Sequence, residues 1–323
     1  MKIRKYKNKD EIQILKLDRL VETHPFNRRD LKNWFWKYKG RNPAGKSLIW
    51  VAENKGKLVA TFSIIPMNYL IKNKIIKGSH SIAMIVHPQW QNKGLIKFVA
   101  DKLFQHAIER KIKFIYGYPN TNAYQIHKSI FGYKDINQQK LFYKKLKKID
   151  YFDEHIIKEK KILRFDSEID KLWKSIKNQY NVCVERSKQF LNWRYTNRPD
   201  VKYFLFKYYQ DNKIVGYSVL KKYKEKKITR GHIIDVFYNK KIPKLFDFII
   251  KSNCNFLYKN NCQEIELWLQ GDTIAVNKLI KLNFYVKSTR PLIGKKLLME
   301  EKLFKNLNKN KWYFTMGDTL EIY

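Results

Sequence analysis

One short polar stretch between two apolar patterns constrains the fold of this chain more than any other sequence feature. Its sequence is Val86-His87-Pro88-Gln89-Trp90-Gln91-Asn92-Lys93-Gly94-Leu95-Ile96. Residues 79–86 form an apolar run typical of a buried strand. Helical spacing follows the turn, at Leu95, Phe98, Val99, Leu103 and Ala107. A strand that ends in a turn and opens a helix points several backbone N–H groups at one spot, which attracts anions such as a pyrophosphate. On spacing alone, an ordinary strand–turn–helix joint is the alternative.

Length and composition bound the class of protein. A chain of 323 residues accommodates two domains of ordinary size, and 44% hydrophobic residues support folded cores. The apolar runs are shorter than a membrane span, and the basic N-terminal residues are not followed by the apolar segment of a signal peptide. Three cysteines without CxxC spacing argue against a disulfide framework or a zinc site. We therefore expect a cytoplasmic protein without a metal.

The net charge of +38 favours binding of anionic ligands but does not by itself indicate a nucleic-acid-binding protein. Arginine accounts for only 12 of the 67 basic residues, and the lysines are spread along the whole chain. Nucleic-acid readers usually cluster their basic residues and use arginine for bidentate contacts. The charge therefore predicts a basic surface that steers an anionic ligand toward the protein.

The chain contains an internal repeat. Trp36-Lys37-Tyr38 and Trp193-Arg194-Tyr195 are each followed by a proline and by two strand-like runs around a tight turn. The charged segment 148–161 lies between the copies. We expect an α+β protein with domains at 1–150 and 151–323, each with a mixed, mostly antiparallel sheet flanked by helices.

The two halves differ at the anion-binding turn. The corresponding stretch of the second half, 233–243, has no glycine and places Pro243 where the helix should begin. We therefore predict one nucleotide-type site, in the first half. The second half then has a purely structural role or contributes part of an acceptor pocket.

The first half resembles the GCN5-related N-acetyltransferases (GNAT). Val86-His87-Pro88 followed by Gln91-Asn92-Lys93-Gly94 is similar to that family's acyl-CoA motif, in which a [QR]-x-x-G-x-[GA] turn follows a V-x-P strand end. Pro119-Asn120 and, after a helix, Phe131-Gly132-Tyr133 resemble the segment that closes the family's domain. The second half looks like a degenerate copy, and the tandem arrangement is similar to that of sugar N-acyltransferases acting on nucleotide-linked amino sugars.

The resemblance implies roles for the turn and its neighbours. Backbone N–H groups of residues 92–96 would hold the CoA pyrophosphate, and Gly94 would allow its close approach. Gln91 and Lys93 would add side-chain contacts, residues 85–87 would pair with the pantetheine amides, and Asn120 would hold the pantetheine arm. The implied cofactor-binding set is Ile85, Val86, His87, Gln91, Asn92, Lys93, Gly94, Leu95, Ile96 and Asn120. A backbone N–H near the end of the strand would stabilise the thioester oxyanion.

Two positions depart from the family pattern. Ile96 replaces the last small residue of the turn, and Lys128 stands where the family often has a tyrosine as general acid. Nearby Tyr124 and His127 are the candidates for that acid. The candidates for the general base are His80, on the strand itself, and Asp235, at the equivalent strand of the second half. A water relay, and purely structural roles for these side chains, remain alternatives.

Two aromatic–basic segments are candidates for acceptor binding. Trp36, Tyr38, Trp193 and Arg194 could stack on a sugar or base and contact a diphosphate. The alternative is that each tryptophan anchors the core.

The function predicted from these features is transfer of an acyl group from acetyl-CoA or a larger acyl-CoA, such as hydroxybutyryl-CoA, to the amine of a nucleotide-linked amino sugar for surface polysaccharide. Two alternatives stand. One is aminoacyl transfer to a peptidoglycan precursor, and the other is a non-catalytic, basic nucleic-acid-binding module.

Overall fold

A computed structural model of the protein describes residues 1–21, 30–147, 156–307 and 312–320. Its strands are β1 Lys2–Lys5, β2 Leu48–Asn54, β3 Lys57–Ile71, β4 Lys74–Val86, β5 Phe114–Gly117, β6 Lys134–Lys145, β7 Lys158–Ile162, β8 Val182–Val184, β9 Tyr203–Gln210, β10 Lys213–Glu225, β11 Ile228–Tyr238, β12 Glu264–Gln270, β13 Tyr285–Lys296 and β14 Phe314–Thr315. Its α-helices are α1 Asp10–Val21, α2 Leu31–Lys39, α3 Leu95–Glu109, α4 Thr121–Gln125, α5 Glu168–Ile176, α6 Lys188–Leu191, α7 Leu245–Lys259, α8 Thr273–Lys281 and α9 Glu301–Leu307.

One continuous, mostly antiparallel sheet carries both halves of the chain. Its strand order is β1-β2-β3-β4-β5-β13-β6-β12-β11-β10-β9-β7, with β8 added to β3 and β14 added to β12. The named strands pair in parallel at β4–β5 and at β11–β12, which occupy equivalent places in the two halves. The predicted α+β architecture, a mostly antiparallel sheet flanked by helices, is confirmed.

The two halves exchange strands where they meet. From the second half, β13 pairs with β5 at Ile293↔Gly117. From the first half, β6 pairs with β12 at Leu267↔Phe142. The internal repeat did not reveal this exchange, because repeat spacing says nothing about which half a strand joins. The predicted boundary between residues 150 and 151 lies outside the described residues, and the two domain ranges stay predictions.

Apolar residues cover both faces of the central strand β3. Phe62 and Ile64 pack with Val99 and Leu103 of α3 in one core cluster. Ile65 belongs to the larger core cluster on the opposite face. Because side chains alternate along a strand, the apolar run of β3 fits a strand buried on both sides. No helix among the described residues is long and apolar enough to span a bilayer.

The segment 312–320 fills the gap that opens between β11 and β12. These strands pair up to Ile233↔Leu267, and β14 then pairs with β12 at Leu269↔Thr315. On the other side, the Tyr313 hydroxyl donates a hydrogen bond to the carbonyl of Val236 on β11. The second half therefore has a strand of its own chain in the place where β4 and β5 leave a cleft in the first half.

A fully buried ion-pair network holds this segment. The Arg186 guanidinium lies 2.8 Å from a carboxylate oxygen of Asp318 and 3.2 Å from one of Asp235. Asp235 also accepts hydrogen bonds from the hydroxyls of Tyr195 (3.0 Å), Tyr217 (2.9 Å) and Thr315 (3.0 Å). Burial raises the pKa of Asp318 and the neighbouring Asp235 carboxylate reinforces this, while Arg186 opposes it. One guanidinium thus holds two carboxylates on different elements.

Replacement of Arg186 by alanine is expected to lower the free energy of unfolding by about 3 to 5 kcal/mol, because it leaves two buried carboxylates without their cation. Urea denaturation followed by circular dichroism measures this change. The control is Lys97→Ala, which removes an exposed pair with Asp101 (2.7 Å) and is expected to cost less than about 1 kcal/mol. Equal effects of the two substitutions would contradict the structural role of Arg186.

Candidate active site

The turn between β4 and α3 has the backbone geometry of an anion-binding helix start. After a short 3₁₀ turn at Pro88–Trp90, Asn92 (φ +60°) and Gly94 (φ +70°) adopt left-handed conformations, and α3 begins at Leu95. Left-handed residues within a turn gather successive backbone N–H groups into a concave nest. A Cβ at Gly94 would have no neighbour within 4 Å, so the space in front of the turn is open. The fifteen-residue α3 directs its positive end at this space.

The side chains of the turn take different roles. The Gln91 amide donates a hydrogen bond to the Val86 carbonyl (3.0 Å), so this side chain closes the turn. Its contact with phosphate stays a prediction. The Lys93 ammonium lies 5.4 Å from the centre of the Trp90 ring, at the exposed surface of the turn. Leu95 and Ile96 have buried side chains and offer their backbone N–H groups only.

A cleft begins where β4 and β5 stop pairing. Their paired part covers Ser79↔Ile115 and His80↔Tyr116. β5 then ends at Gly117, whereas β4 continues to Val86 and remains paired with β3 on its other side. Within this stretch Ala83 has φ +49°, and the register with β3 shifts. Such a bulge bends a strand and is common beside active sites.

Ser81 and His127 meet on one wall of this cleft. His127 lies in a π-helical turn, Ile126–Ile130, and its Nδ1 is 2.7 Å from the Ala123 carbonyl. Because a carbonyl only accepts, Nδ1 carries the proton and the unprotonated Nε2 faces the Ser81 hydroxyl at 3.5 Å. Burial lowers the pKa of His127, which favours this neutral form. The sequence pattern did not single out Ser81, because the contact depends on the π-helical turn.

Tyr124 belongs to a surface cluster beside the cleft. Its hydroxyl donates to Asp135 (2.7 Å) and accepts from the Lys128 ammonium (3.2 Å). Burial acts to raise the pKa of Asp135, but the hydrogen bonds from Lys128 and Tyr124 outweigh it and lower that pKa. Asn120, one turn earlier, caps α4 by accepting a hydrogen bond from the Ala123 backbone N–H (2.9 Å).

His80 lies on the opposite face of β4. Its ring stacks on Tyr116, with centroids 4.8 Å apart, and its side chain is buried. Burial, together with the charges of Lys37 and Arg194, lowers the pKa of His80 to about 3, so the ring is neutral. Its Nδ1 has no hydrogen-bond partner among the described residues. Its role as a general base stays a prediction.

Asp235 and Arg194 lie away from this cleft in the interior of the second half. Asp235 belongs to the Arg186 network and is 1% exposed. Arg194, with no exposed surface, donates to the backbone carbonyls of Gly317 (3.0 Å) and Thr319 (2.7 Å). Both side chains hold the segment 312–320, and this geometry counts against their predicted contacts with an amine or a diphosphate.

Trp36 and Trp193 stack on each other at the seam between the halves. Their ring centroids are 5.6 Å apart, and the Trp36 indole N–H donates to the Trp193 carbonyl (2.7 Å). Arg198 lies over the Trp36 ring at 5.0 Å, so little of these ring faces is left for a ligand. Tyr38 is also buried, and its hydroxyl accepts a hydrogen bond from Ser63 (3.4 Å).

The edges of the two tryptophans line an open groove of about 350 Å³. Its lining residues are Phe35, Trp36, Lys39, Gly40, Arg41, Trp193 and Asn197. The groove thus combines aromatic surface with two basic side chains.

The two halves of the fold form a tandem GNAT-like architecture, and in the part of the chain that the structure describes a single cleft of this type lies between β4 and β5. Comparisons with known proteins agree. Residues 2–136 match a family model described as an acetyltransferase (GNAT) domain. The similarity to GNAT domains thus concerns residues 2–136, and the protein is an enzyme of the CoA-dependent N-acyltransferase class. No curated protein sequence matches the chain.

Solved structures share the fold over nearly the whole chain. A GCN5-related N-acetyltransferase from Anabaena variabilis has 13% identity and a TM-score of 0.67, covering 92% of this chain and 72% of its own. A tandem GNAT protein from the clavulanic acid biosynthesis pathway has 10% identity and a TM-score of 0.65. The match covers 93% of this chain and 99% of that protein. The N-myristoyltransferase of Saccharomyces cerevisiae, solved with myristoyl-CoA, has 12% identity and a TM-score of 0.62. The match covers 91% of this chain and 78% of that enzyme.

Gly94→Glu is expected to weaken acetyl-CoA binding at least about 100-fold, or about 2.8 kcal/mol, because it places negative charge and a left-handed side chain where the pyrophosphate should lie. Isothermal titration calorimetry measures the change. The matched control is Gly56→Glu in the β2–β3 turn, where the glycine also has a positive φ (+78°) and open space around it. Unchanged affinity in Gly94→Glu would refute the assignment of the turn.

Proposed function

We propose that this protein transfers an acyl group from acyl-CoA to the primary amine of a nucleotide-linked amino sugar. The observation that carries the proposal is the left-handed turn at Asn92 and Gly94, which opens α3 beside the unpaired part of β4. The backbone N–H groups of residues 92–96 would bind the pyrophosphate, and Lys93 would add a positive charge. Main-chain groups of residues 85–87 would pair with the pantetheine arm, with the Asn120 amide on the opposite side.

The chemistry requires attack of a neutral amine on the thioester carbonyl. The amine loses a proton, the carbonyl oxygen takes up negative charge, and the CoA thiolate leaves and is protonated. Backbone N–H groups at the bulged part of β4 are the candidate donors to the oxyanion. His80 and His127 are the candidate bases on the two faces of β4. Burial lowers the pKa of each, so both rings are unprotonated and able to accept a proton. The same shift makes each a weaker base, because a general base works best with a pKa near the operating pH.

Existing hydrogen bonds of Tyr124 and His127 count against either side chain as the acid that protonates the thiolate. The Tyr124 hydroxyl bonds to Asp135 and Lys128 and would have to leave that cluster to protonate a thiolate. The protonated Nδ1 of His127 bonds to the Ala123 carbonyl and faces away from Ser81. Protonation of the thiolate by water is therefore part of the proposal.

The groove beside Trp36 and Trp193 supports the choice of acceptor. A nucleotide-linked amino sugar has a planar base, an apolar sugar face and a negatively charged diphosphate. Aromatic edges with Lys39 and Arg41 offer complementary contacts for these groups. The net charge of +38 would also raise the rate at which such an anion meets the protein.

A free-thiol release assay with acetyl-CoA tests this proposal against a panel of nucleotide-linked amino sugars and of simple amines. Turnover is expected with at least one nucleotide-linked amino sugar. The double variant Lys39→Glu/Arg41→Glu is expected to raise its KM at least about 10-fold through charge repulsion, with little change in the Kd of acetyl-CoA. Lys57→Glu, at an exposed site outside the groove, controls for the loss of positive charge. Turnover confined to simple amines would contradict the proposed acceptor.

A further inference from the structure

We propose that Ser81 and His127 form a polar end of the acyl cleft and select an acyl group that carries a hydroxyl close to the thioester over an alkyl chain of equal length. This inference rests on the proposed acyl-CoA site. It concerns the donor, and its test needs no acceptor.

Ser81 lies where an acyl group held in this cleft would end. The pairing of β4 with β5 ends at His80↔Tyr116. Ser81 and Gly117 are therefore the first residues of the two strands beyond their paired part. The turn that would hold the pyrophosphate is at the other end of the unpaired stretch. Ser81 precedes Val86 by five residues, about 15 Å of extended strand, so a donor lying along this edge points its acyl end at Ser81.

Gly117 lies close to Ser81 across the two strands, and its lack of a side chain permits this approach. A Cβ there would lie 3.3 Å from the Ser81 Cβ, tighter than an ordinary van der Waals contact. Without that side chain, Ser81 remains partly exposed although it is next to the buried His80. Ser81 is therefore a half-buried residue at the point where the two strands separate.

His127 presents an acceptor that is incompletely satisfied. Its Nε2 lies 3.5 Å from the Ser81 hydroxyl, at the outer limit of a hydrogen bond. The His127 side chain is 5% exposed and packs edge-on against Phe62, Phe131 and Tyr133, with centroids 6.0, 5.4 and 4.8 Å away. The two phenylalanines offer it no polar partner, and the Tyr133 hydroxyl is buried. A ligand hydroxyl could accept from Ser81 or donate to Nε2 and so complete the hydrogen bonding.

The two kinds of acyl group then differ in a predictable way. An alkyl chain would remove the partly exposed Ser81 from water without offering it a hydrogen bond and would leave the buried Nε2 of His127 with only its 3.5 Å contact to Ser81. A buried polar group without a good partner is costly. A site that bonds a ligand hydroxyl discriminates strongly against the analogue that lacks it. We expect a preference of at least about 10-fold in Kd, which corresponds to about 1.4 kcal/mol.

The test compares 3-hydroxybutyryl-CoA with butyryl-CoA, which have equal chain length and differ in one hydroxyl. Calorimetry without acceptor should give a Kd at least about 10-fold lower for the hydroxyacyl thioester. Ser81→Ala and His127→Phe should each reduce the ratio to about 1, and the double variant should lose no more than either single variant. His127→Phe keeps an aromatic ring among Phe62 and Phe131, and Ser81→Thr should retain the preference.

Ser129→Ala is the matched control, because Ser129 is an exposed serine in the same π-helical turn whose hydroxyl bonds to the Gln125 carbonyl (2.6 Å). Equal Kd values for the two thioesters in the wild-type protein would overturn this inference and leave the acyl-CoA site standing. A preference that survives in Ser81→Ala would also overturn it. Failure of both thioesters and of acetyl-CoA to bind would instead overturn the proposed function.

Discussion

The buried guanidinium of Arg186 is the interaction on which the rest of the structure depends. It joins Asp235 on β11 to Asp318 in the segment 312–320 and so fixes that segment in the interior. The Asp318 carbonyl in turn accepts a hydrogen bond from the Tyr116 hydroxyl on β5 (2.7 Å), and Tyr116 stacks on His80 of β4. The network therefore extends from the second half to β4 and β5, the two strands of the proposed acyl-CoA cleft. Buried charges of this kind are costly alone and persist where they are mutually compensated.

The same network explains why the two halves are unequal. Each half has a parallel strand pair whose strands separate, β4–β5 in the first and β11–β12 in the second. In the second half the gap is filled by β14, and the strand edge that could bind a pantetheine arm pairs with protein instead. α7 also begins after Lys244 in a left-handed conformation (φ +59°), without the glycine that lets a backbone approach a phosphate closely. These features support one donor site, with the second half completing the fold around it.

Local signals in the sequence predicted local structure. The strand ending at Val86 and the helix beginning at Leu95 follow from a polar turn with glycine between an apolar run and a helical pattern. The strand exchange of β6 and β13 and the insertion of β14 were not predicted, because they join residues far apart in sequence. Asp235 was expected at a ligand site from its place on the equivalent strand of the second half, and Arg194 from its aromatic neighbours. Both side chains are buried and are compensated inside the protein. Ser81 was missed because only the fold brings it to His127.

The proposed acyl-CoA site is single and lies in the first half of the chain. Hydrogen–deuterium exchange with and without saturating acetyl-CoA tests it most directly, because protection reports where a ligand covers or stabilises the backbone. We predict protection of residues 81–96 and 117–127 and no change in 233–245 or 312–320. Protection centred on the second half, or none at 81–96 under saturating ligand, would contradict the claim.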